Sequence, residues 1–234
     1  MATQYRHEYK YICSAPRLKV LEMRLKGILA ADRHTGPRGA YLIRSVYFDT
    51  PDDACYYENE DGVDPRSKYR IRIYNCSDKR ITLERKEKCR GMTHKDSARL
   101  TKEMCEEMLK GKIPEINSSM SPILVKMLTD MRLKMMRPVV IVQYERKPFV
   151  HNIGNVRITL DYSICSSQSF DKFFDIDMPR RQILANGQGL IEVKWDQFLP
   201  SYIKQQLELE GMQWTSFSKY YLCRKYNNHG GLIR

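Results

Sequence analysis

The stretch Lys68-Tyr69-Arg70-Ile71-Arg72-Ile73-Tyr74, followed after a short break by Arg80-Ile81-Thr82-Leu83-Glu84-Arg85-Lys86-Glu87-Lys88, decides the fold. Charged and apolar residues alternate with a period of two, which is the signature of a strand with two unlike faces. Lys68, Arg70 and Arg72 share one face, and Ile71 and Ile73 share the other. In the second run Glu84, Lys86 and Lys88 lie opposite Ile81 and Leu83. The intervening Asn75-Cys76-Ser77-Asp78 reads as a hairpin turn.

The same pattern recurs outward from this hairpin. Arg6, Glu8 and Lys10 share a face in a strand predicted over residues 5–12. Tyr144 and Arg146 end one face of a strand over 139–147. Arg157, Thr159 and Asp161 lie opposite Val156, Ile158 and Leu160, and Glu192 and Lys194 lie opposite Ile191, Val193 and Trp195. Further strands are expected at 41–49 and near 93–99. Apolar residues at the helical period predict helices after Pro16 (Leu18, Leu21, Leu25, Ile28, Leu29), over 101–110, from Ser121-Pro122 to 131, over 200–209 and over 215–226. The acidic stretch 51–66 reads as turns with at most a short helix. Tyr5, Tyr9 and Tyr11, and the methionines between Met127 and Met136, read as packing residues.

Roughly eight strands with helices between pairs specify an α+β domain on an antiparallel sheet or barrel. A flat sheet with a solvated charged face suits any one such strand. Six strands sharing the pattern, with helices to cover the apolar side, favour a closed sheet with a charged lumen. Lys10, Arg70, Arg72, Lys86, Arg146, Arg157 and Lys194 are its cations, and Glu8, Glu84, Asp161 and Glu192 its acids. Unpaired buried charges cost several kcal/mol each. Such a lumen therefore calls for water and an anion, and a triphosphate with a divalent metal fits. Arginine forks and lysine charges suit phosphoryl oxygens, and carboxylates suit the metal.

Composition agrees. The 234 residues carry 40 Lys and Arg against 28 Asp and Glu, a formal charge of +12, which points to a polyanionic partner. No apolar run approaches the roughly 20 residues of a membrane span, and the N-terminus lacks the apolar core of a secretion signal. A soluble cytoplasmic protein is expected. The seven cysteines are scattered without metal-ligand spacing and the five histidines form no cluster, so a zinc site is not expected. A metal here would be Mn²⁺ or Mg²⁺ on carboxylates. No Walker-type glycine-rich loop is present, so side chains must hold the phosphates.

In their order along the chain, Arg6-His-Glu8-Tyr-Lys10-Tyr, Ile43-Arg-Ser-Val-Tyr47-Phe-Asp49, Tyr69-Arg70-Ile-Arg72-Ile-Tyr74, Leu83-Glu84-Arg-Lys86, Val156-Arg157-Ile-Thr-Leu-Asp161, Leu190-Ile-Glu192-Val-Lys194 and Phe217-Ser218-Lys219-Tyr220 resemble the VTC polyphosphate polymerase domain. That domain belongs to the CYTH-like triphosphate tunnel metalloenzymes. The resemblance runs over about residues 5–226, so one domain is expected over 1–234 with a tail at 227–234. It implies an eight-stranded antiparallel β-barrel with helices outside, and transfer of the ATP γ-phosphate to inorganic polyphosphate. Carried over by motif, Lys10, Arg70, Arg72, Lys86, Arg146, Arg157 and Lys219 are its catalytic phosphate ligands. Tyr144, Ser218, Lys95 and Lys194 are substrate-binding residues, and Glu192 with Glu8 are metal ligands for Mn²⁺ or Mg²⁺. Hydrolases and cyclases of this superfamily open with Glu-x-Glu-x-Lys. Here the first Glu is replaced by Arg6, which weakens a triphosphate-hydrolase reading. That hydrolase and a non-catalytic polyphosphate-binding module are the alternatives. No nucleic-acid partner is expected, because no RNP1-like run of base-stacking aromatics accompanies the cations.

Overall fold

The computed structural model describes residues 6–32, 35–207, 212, 215 and 217–228. Strand β1 (His7–Ser14) runs straight into helix α1 (Ala15–Ile28), which has Pro16 in its first turn, where a missing N–H costs nothing. β2 (Ala30–Ala31), β3 (Tyr41–Asp49) and the short helix α2 (Ala54–Glu60) follow. β4 (Arg66–Tyr74), β5 (Ser77–Cys89) and β6 (Met92–Leu100) form a meander. Then come α3 (Lys102–Leu109), capped by the Thr101 hydroxyl accepting from the Met104 N–H, and α4 (Pro122–Leu133). The chain returns through β7 (Arg137–His151), β8 (Val156–Ser167), β9 (Arg181–Gln182) and β10 (Gln188–Trp195) to α5 (Ser201–Leu207) and α6 (Lys219–Asn228).

The eight long strands make one antiparallel sheet in the order β1-β10-β8-β7-β3-β4-β5-β6, with β2 added to β7 and β9 to β8. The sheet curls until its edges, β1 and β6, meet at a bridge between Arg6 and Thr93. The two-faced strands expected from the sequence thus turn their charged faces into a common lumen.

Helices cover the outer face. Leu18, Leu21 and Leu25 of α1, with Ile203 and Leu207 of α5, pack on Ile158, Leu160, Ile191 and Val193. Met108 of α3, Leu124, Met127 and Leu128 of α4 and Cys223 of α6 belong to a second cluster with Ile71, Ile73, Leu83 and Val140. Each fully buried apolar side chain is worth about 1.5–3 kcal/mol, so the alternation in each strand is held from outside. Gly189 permits the closest approach. A Cβ there would stand 2.4 Å from Leu18 Cδ1 and 2.7 Å from the Asp161 carbonyl oxygen.

Local departures have clear causes. The β4–β5 turn is only Asn75-Cys76, both at positive φ (51° and 56°), because Tyr74 pairs with Ser77; this is the geometry that a two-residue hairpin of right-handed twist demands. Helix α1 stops at Ile28, since Ala30 and Ala31 pair with β7. Tyr11 is buried, but Tyr9 is 43% exposed against Trp195 and is not a core residue. Met127, Met131 and Met136 pack inside, whereas Met135 sits just past α4 and is 67% exposed. Tyr5 and residues 208–211 lie outside the described residues.

Candidate functional site

The lumen encloses a cavity of about 450 Å³. Ten lysines and arginines line it, against two carboxylates, Glu8 and Glu192. Two further acids, Glu84 and Asp161, are buried beneath this lining and hold its cations.

Strand register explains the arrangement. Glu8 stands opposite Lys194, and Lys10 opposite Glu192, across the β1–β10 pair. The two acids are therefore diagonal neighbours with lysines between them. Lys10 and Lys86 contact Glu8 at 2.7 and 2.8 Å. Lys194 touches Glu192 and lies 3.8 Å from Glu8. Burial alone would raise the Glu8 carboxyl, but Lys10, Lys86 and Lys194 outweigh it and hold it well below the usual range. Glu192 is likewise held well below it, by Lys194, Arg146 and Lys219 against burial.

On the adjoining strands β7 and β8, Arg146 grips Asp161 with two 2.7 Å hydrogen bonds, the bidentate geometry arginine favours. Lys219 Nζ reaches the same carboxylate at 2.7 Å and Glu192 at 3.9 Å. Tyr144 lies beneath both cations, with Lys219 Nζ 4.7 Å from its ring centre. Burial would raise its phenol, yet Arg146, Arg72 and Lys219 bring it below the ordinary tyrosine value. Arg70 donates to Glu84 at 2.6 Å and to the Tyr47 hydroxyl at 3.0 Å. Arg72 is held more loosely, by Ser45 Oγ at 3.1 Å and the Tyr144 hydroxyl at 3.4 Å, with Glu84 3.8 Å away.

Lys219 and Ser218 come from outside the sheet. Thr215 and Phe217 meet β1, where the Thr215 N–H donates to the Lys10 carbonyl and Lys10 Nζ donates to the Phe217 carbonyl at 3.0 Å. The Ser218 hydroxyl then caps α6 by accepting from the Tyr221 N–H. This is why α6 starts at Lys219 and not at 215: Thr215 and Phe217 are bonded to Lys10 of β1.

The lumen thus gathers Lys10, Arg70, Arg72, Lys86, Arg146, Lys219, Tyr144, Ser218, Lys194, Glu8 and Glu192 from the residues expected of it. Two others stand apart from the cavity lining. Arg157 points to Asp32 and the Tyr41 hydroxyl, each at 2.9 Å. Lys95 lies on β6, half exposed, and reaches Glu84 at 3.0 Å. Arg6 turns to Asp196 at 2.7 Å and does not line the cavity. Arg66, Lys68, Lys88 and Tyr47 do line it; of these, Lys68 and Lys88 were legible from strand parity but carried no motif to single them out.

The family model of the VTC domain matches residues 5–227. The chain belongs to the VTC domain family. Two solved structures share the fold of this VTC domain. One is a candidate adenylyl cyclase from Hippeastrum described as having a dominant triphosphatase activity, with a TM-score of 0.59, 15% identity, and 98% of this chain and 97% of that one covered. The other is a candidate adenylate cyclase from Bacillus halodurans, at a TM-score of 0.50 and 15% identity, with 90% of each chain covered. A comparison with curated proteins gives no significant match. The architecture of the VTC domain is that of the CYTH-like triphosphate tunnel proteins. No described helix is long and apolar enough to cross a membrane.

That fold implies a divalent ion. Among the described residues no group of three or more His, Cys, Asp or Glu forms a metal cage. Glu8 and Glu192 still fit such an ion, because both are carboxylates of the hard type that Mg²⁺ and Mn²⁺ prefer. These ions commonly take one or two carboxylates and draw their remaining ligands from water and substrate phosphates.

Proposed function

We propose that this VTC domain is a polyphosphate polymerase, which transfers the γ-phosphoryl group of ATP to the end of an inorganic polyphosphate chain. The observation that carries the reading is the lumen, in which ten cations face two carboxylates, both already held by lysines. Such a surplus suits a ligand with many negative oxygens, and a phosphate chain presents them in a row.

Arg70, Arg72, Arg146 and Lys219 converge on one region from β4, β7 and α6 and would bind and align the triphosphate. As phosphate oxygens arrive, Lys10, Lys86 and Lys194 gain new partners, which leaves Glu8 and Glu192 available to a Mn²⁺ or Mg²⁺ ion. When bound, that ion would add positive charge at the phosphate oxygens. The bond from the γ-phosphorus to the β–γ bridging oxygen breaks, a new anhydride forms with the terminal oxygen of the acceptor chain, and ADP leaves. Charge spreads over the equatorial oxygens in a loose transition state, so fixed guanidinium and ammonium groups lower the barrier. The acceptor oxygen is already anionic near neutral pH and needs no general base. This agrees with Arg6, which stands where hydrolases of the superfamily carry a glutamate and pairs with Asp196 away from the lumen.

The second reading, a triphosphate hydrolase, is favoured by the activity described for the Hippeastrum structure. Incubation of the purified protein with ATP and Mn²⁺, followed by gel analysis for polyphosphate and an assay for orthophosphate, separates the two. Chains that lengthen with time support the polymerase. Orthophosphate without chains selects the hydrolase, and neither product leaves a binding module.

A further inference from the structure

The cations of the lumen fall into two sets. Lys10, Arg70, Arg72, Lys86, Arg146, Lys194 and Lys219 each have a carboxylate partner. Among the described residues Arg66, Lys68 and Lys88 form no such ion pair, although all three line the same cavity. Strand register stacks them. Arg66 stands opposite Lys88, and Lys68 opposite Lys86, at successive lumen-facing positions of the β4–β5 pair. Like charges directly across two strands are destabilising, so the Arg66–Lys88 rung is one of repulsion, and beside it Lys68 faces a lysine already held by Glu8.

Lys68 is held in place without being neutralised. Its ammonium donates to Asn59 Oδ1 at 2.6 Å and Ser218 Oγ at 3.3 Å, and it lies 4.7 Å from the centre of the Tyr220 ring. Arg66 donates to the Val63 carbonyl at 2.6 Å. Lumen-facing positions advance by about 6.7 Å per pair of residues along a strand, which puts Arg66 about 20 Å from Arg72 along β4. That span is well beyond the length of a triphosphate.

We infer that Arg66, Lys68 and Lys88 form a second anion subsite, at the end of the lumen where β4 begins and β5 ends, which takes the phosphates of a linear chain longer than a triphosphate. The inference rests on the lumen being a phosphate-binding site. Burial, with repulsion from Arg66, Lys86 and Lys10, pushes the Lys68 ammonium down to about 7, as expected where an anion is needed to complete the group.

Titration calorimetry with tripolyphosphate and with long-chain polyphosphate tests it, on the wild-type chain, a Lys68→Gln, Lys88→Gln double variant and a single Lys88→Gln variant. A Lys110→Gln, Lys112→Gln variant, altered on the surface beyond α3, controls for overall charge. The wild type should bind the long chain more tightly than tripolyphosphate, and the double variant should lose about tenfold or more of that preference, since two charge-assisted contacts go. Lys88→Gln should move it in the same direction, and the surface variant should keep the wild-type ratio. A wild type without the preference, a ratio untouched by the lumen substitutions, or an equal loss in the surface variant overturns the subsite while leaving tripolyphosphate binding in place. Failure of the wild type to bind either ligand overturns the phosphate-site reading as well.

Discussion

At the scale of single residues, Arg70 and Arg72 look equivalent in sequence and are not equivalent in the fold. Arg70 contacts Glu84 through two nitrogens, while Arg72 lies 3.8 Å from that acid. Burial and Arg70 oppose the charge on Arg72, but Tyr144, Glu84 and Tyr74 outweigh them and hold the guanidinium above its ordinary value. Replacing Arg70 by Ala removes charge-assisted bonds from a buried carboxylate and should cost about 1.5–3 kcal/mol of stability. Arg72→Ala should cost less stability than Arg70→Ala, because its contacts are longer, yet weaken tripolyphosphate binding by about 1.5–3 kcal/mol, the worth of one charge-assisted contact. Thermal melts with and without tripolyphosphate and Mn²⁺ read both quantities. A fall in apo stability for Arg72→Ala with an unchanged ligand-induced rise would make it a structural residue. Protonation gives a second handle. Burial, with repulsion from Lys10 and Lys194 only partly offset by Glu8 and Glu192, pushes Lys86 down to about 8, and Lys68 stands at about 7 beside Arg66, Lys86, Lys10, Cys55, Asn59, Ser218 and Tyr220. Both lysines lose charge as pH rises through these values in the empty lumen, and a bound polyanion restores it. Binding should therefore take up protons, and affinity should fall between about pH 6.5 and 9. Calorimetry in buffers of different ionisation heat measures the uptake, and a pH-independent affinity would count against lysines in contact with phosphate.

At the scale of elements, the telling contact ties α6 to β3. Asp49, at the end of β3, is fully buried and accepts from the backbone N–H groups of Thr50, Cys55 and Tyr56, which fixes α2. Its Oδ2, which takes the Tyr56 N–H, also accepts from the Tyr220 hydroxyl, one residue beyond Lys219. Burial and Asp49 push that phenol far above its ordinary value, so it stays protonated. Tyr220→Phe should cost about 1–2 kcal/mol of stability. It should also weaken tripolyphosphate binding, because Ser218 and Lys219 lose their anchor. Reduced stability with unaltered affinity, in melts and titrations of one preparation, would restrict Tyr220 to a structural role. Strand parity made the lumen faces of β4, β5, β8 and β10 legible in the sequence, because burial of alternate residues leaves a local record. The Asp49–Tyr220 tie, the Arg157–Asp32 pair and the seat of Lys68 on Asn59 and Ser218 left none. They depend on which distant segments meet, and a period of two or 3.6 carries no such information. The exposure of Tyr9 was hidden for the same reason, since it depends on where the neighbouring segments run.

At the scale of the whole molecule, the formal charge of +12 is organised and not merely spread over the surface. An apolar outer face under α1, α3, α4, α5 and α6 obliges the other face of the sheet to enclose its charges. Buried acids then pin the cations in a fixed array that a phosphate chain can complete. The central claim is that this array is one binding site, and its stoichiometry tests it most directly. Titration of the wild-type chain with tripolyphosphate and Mn²⁺ should show saturable binding of one tripolyphosphate per chain, displaced by ATP. A succession of weak sites that never saturates and vanishes in salt, or no binding at all, would contradict the account.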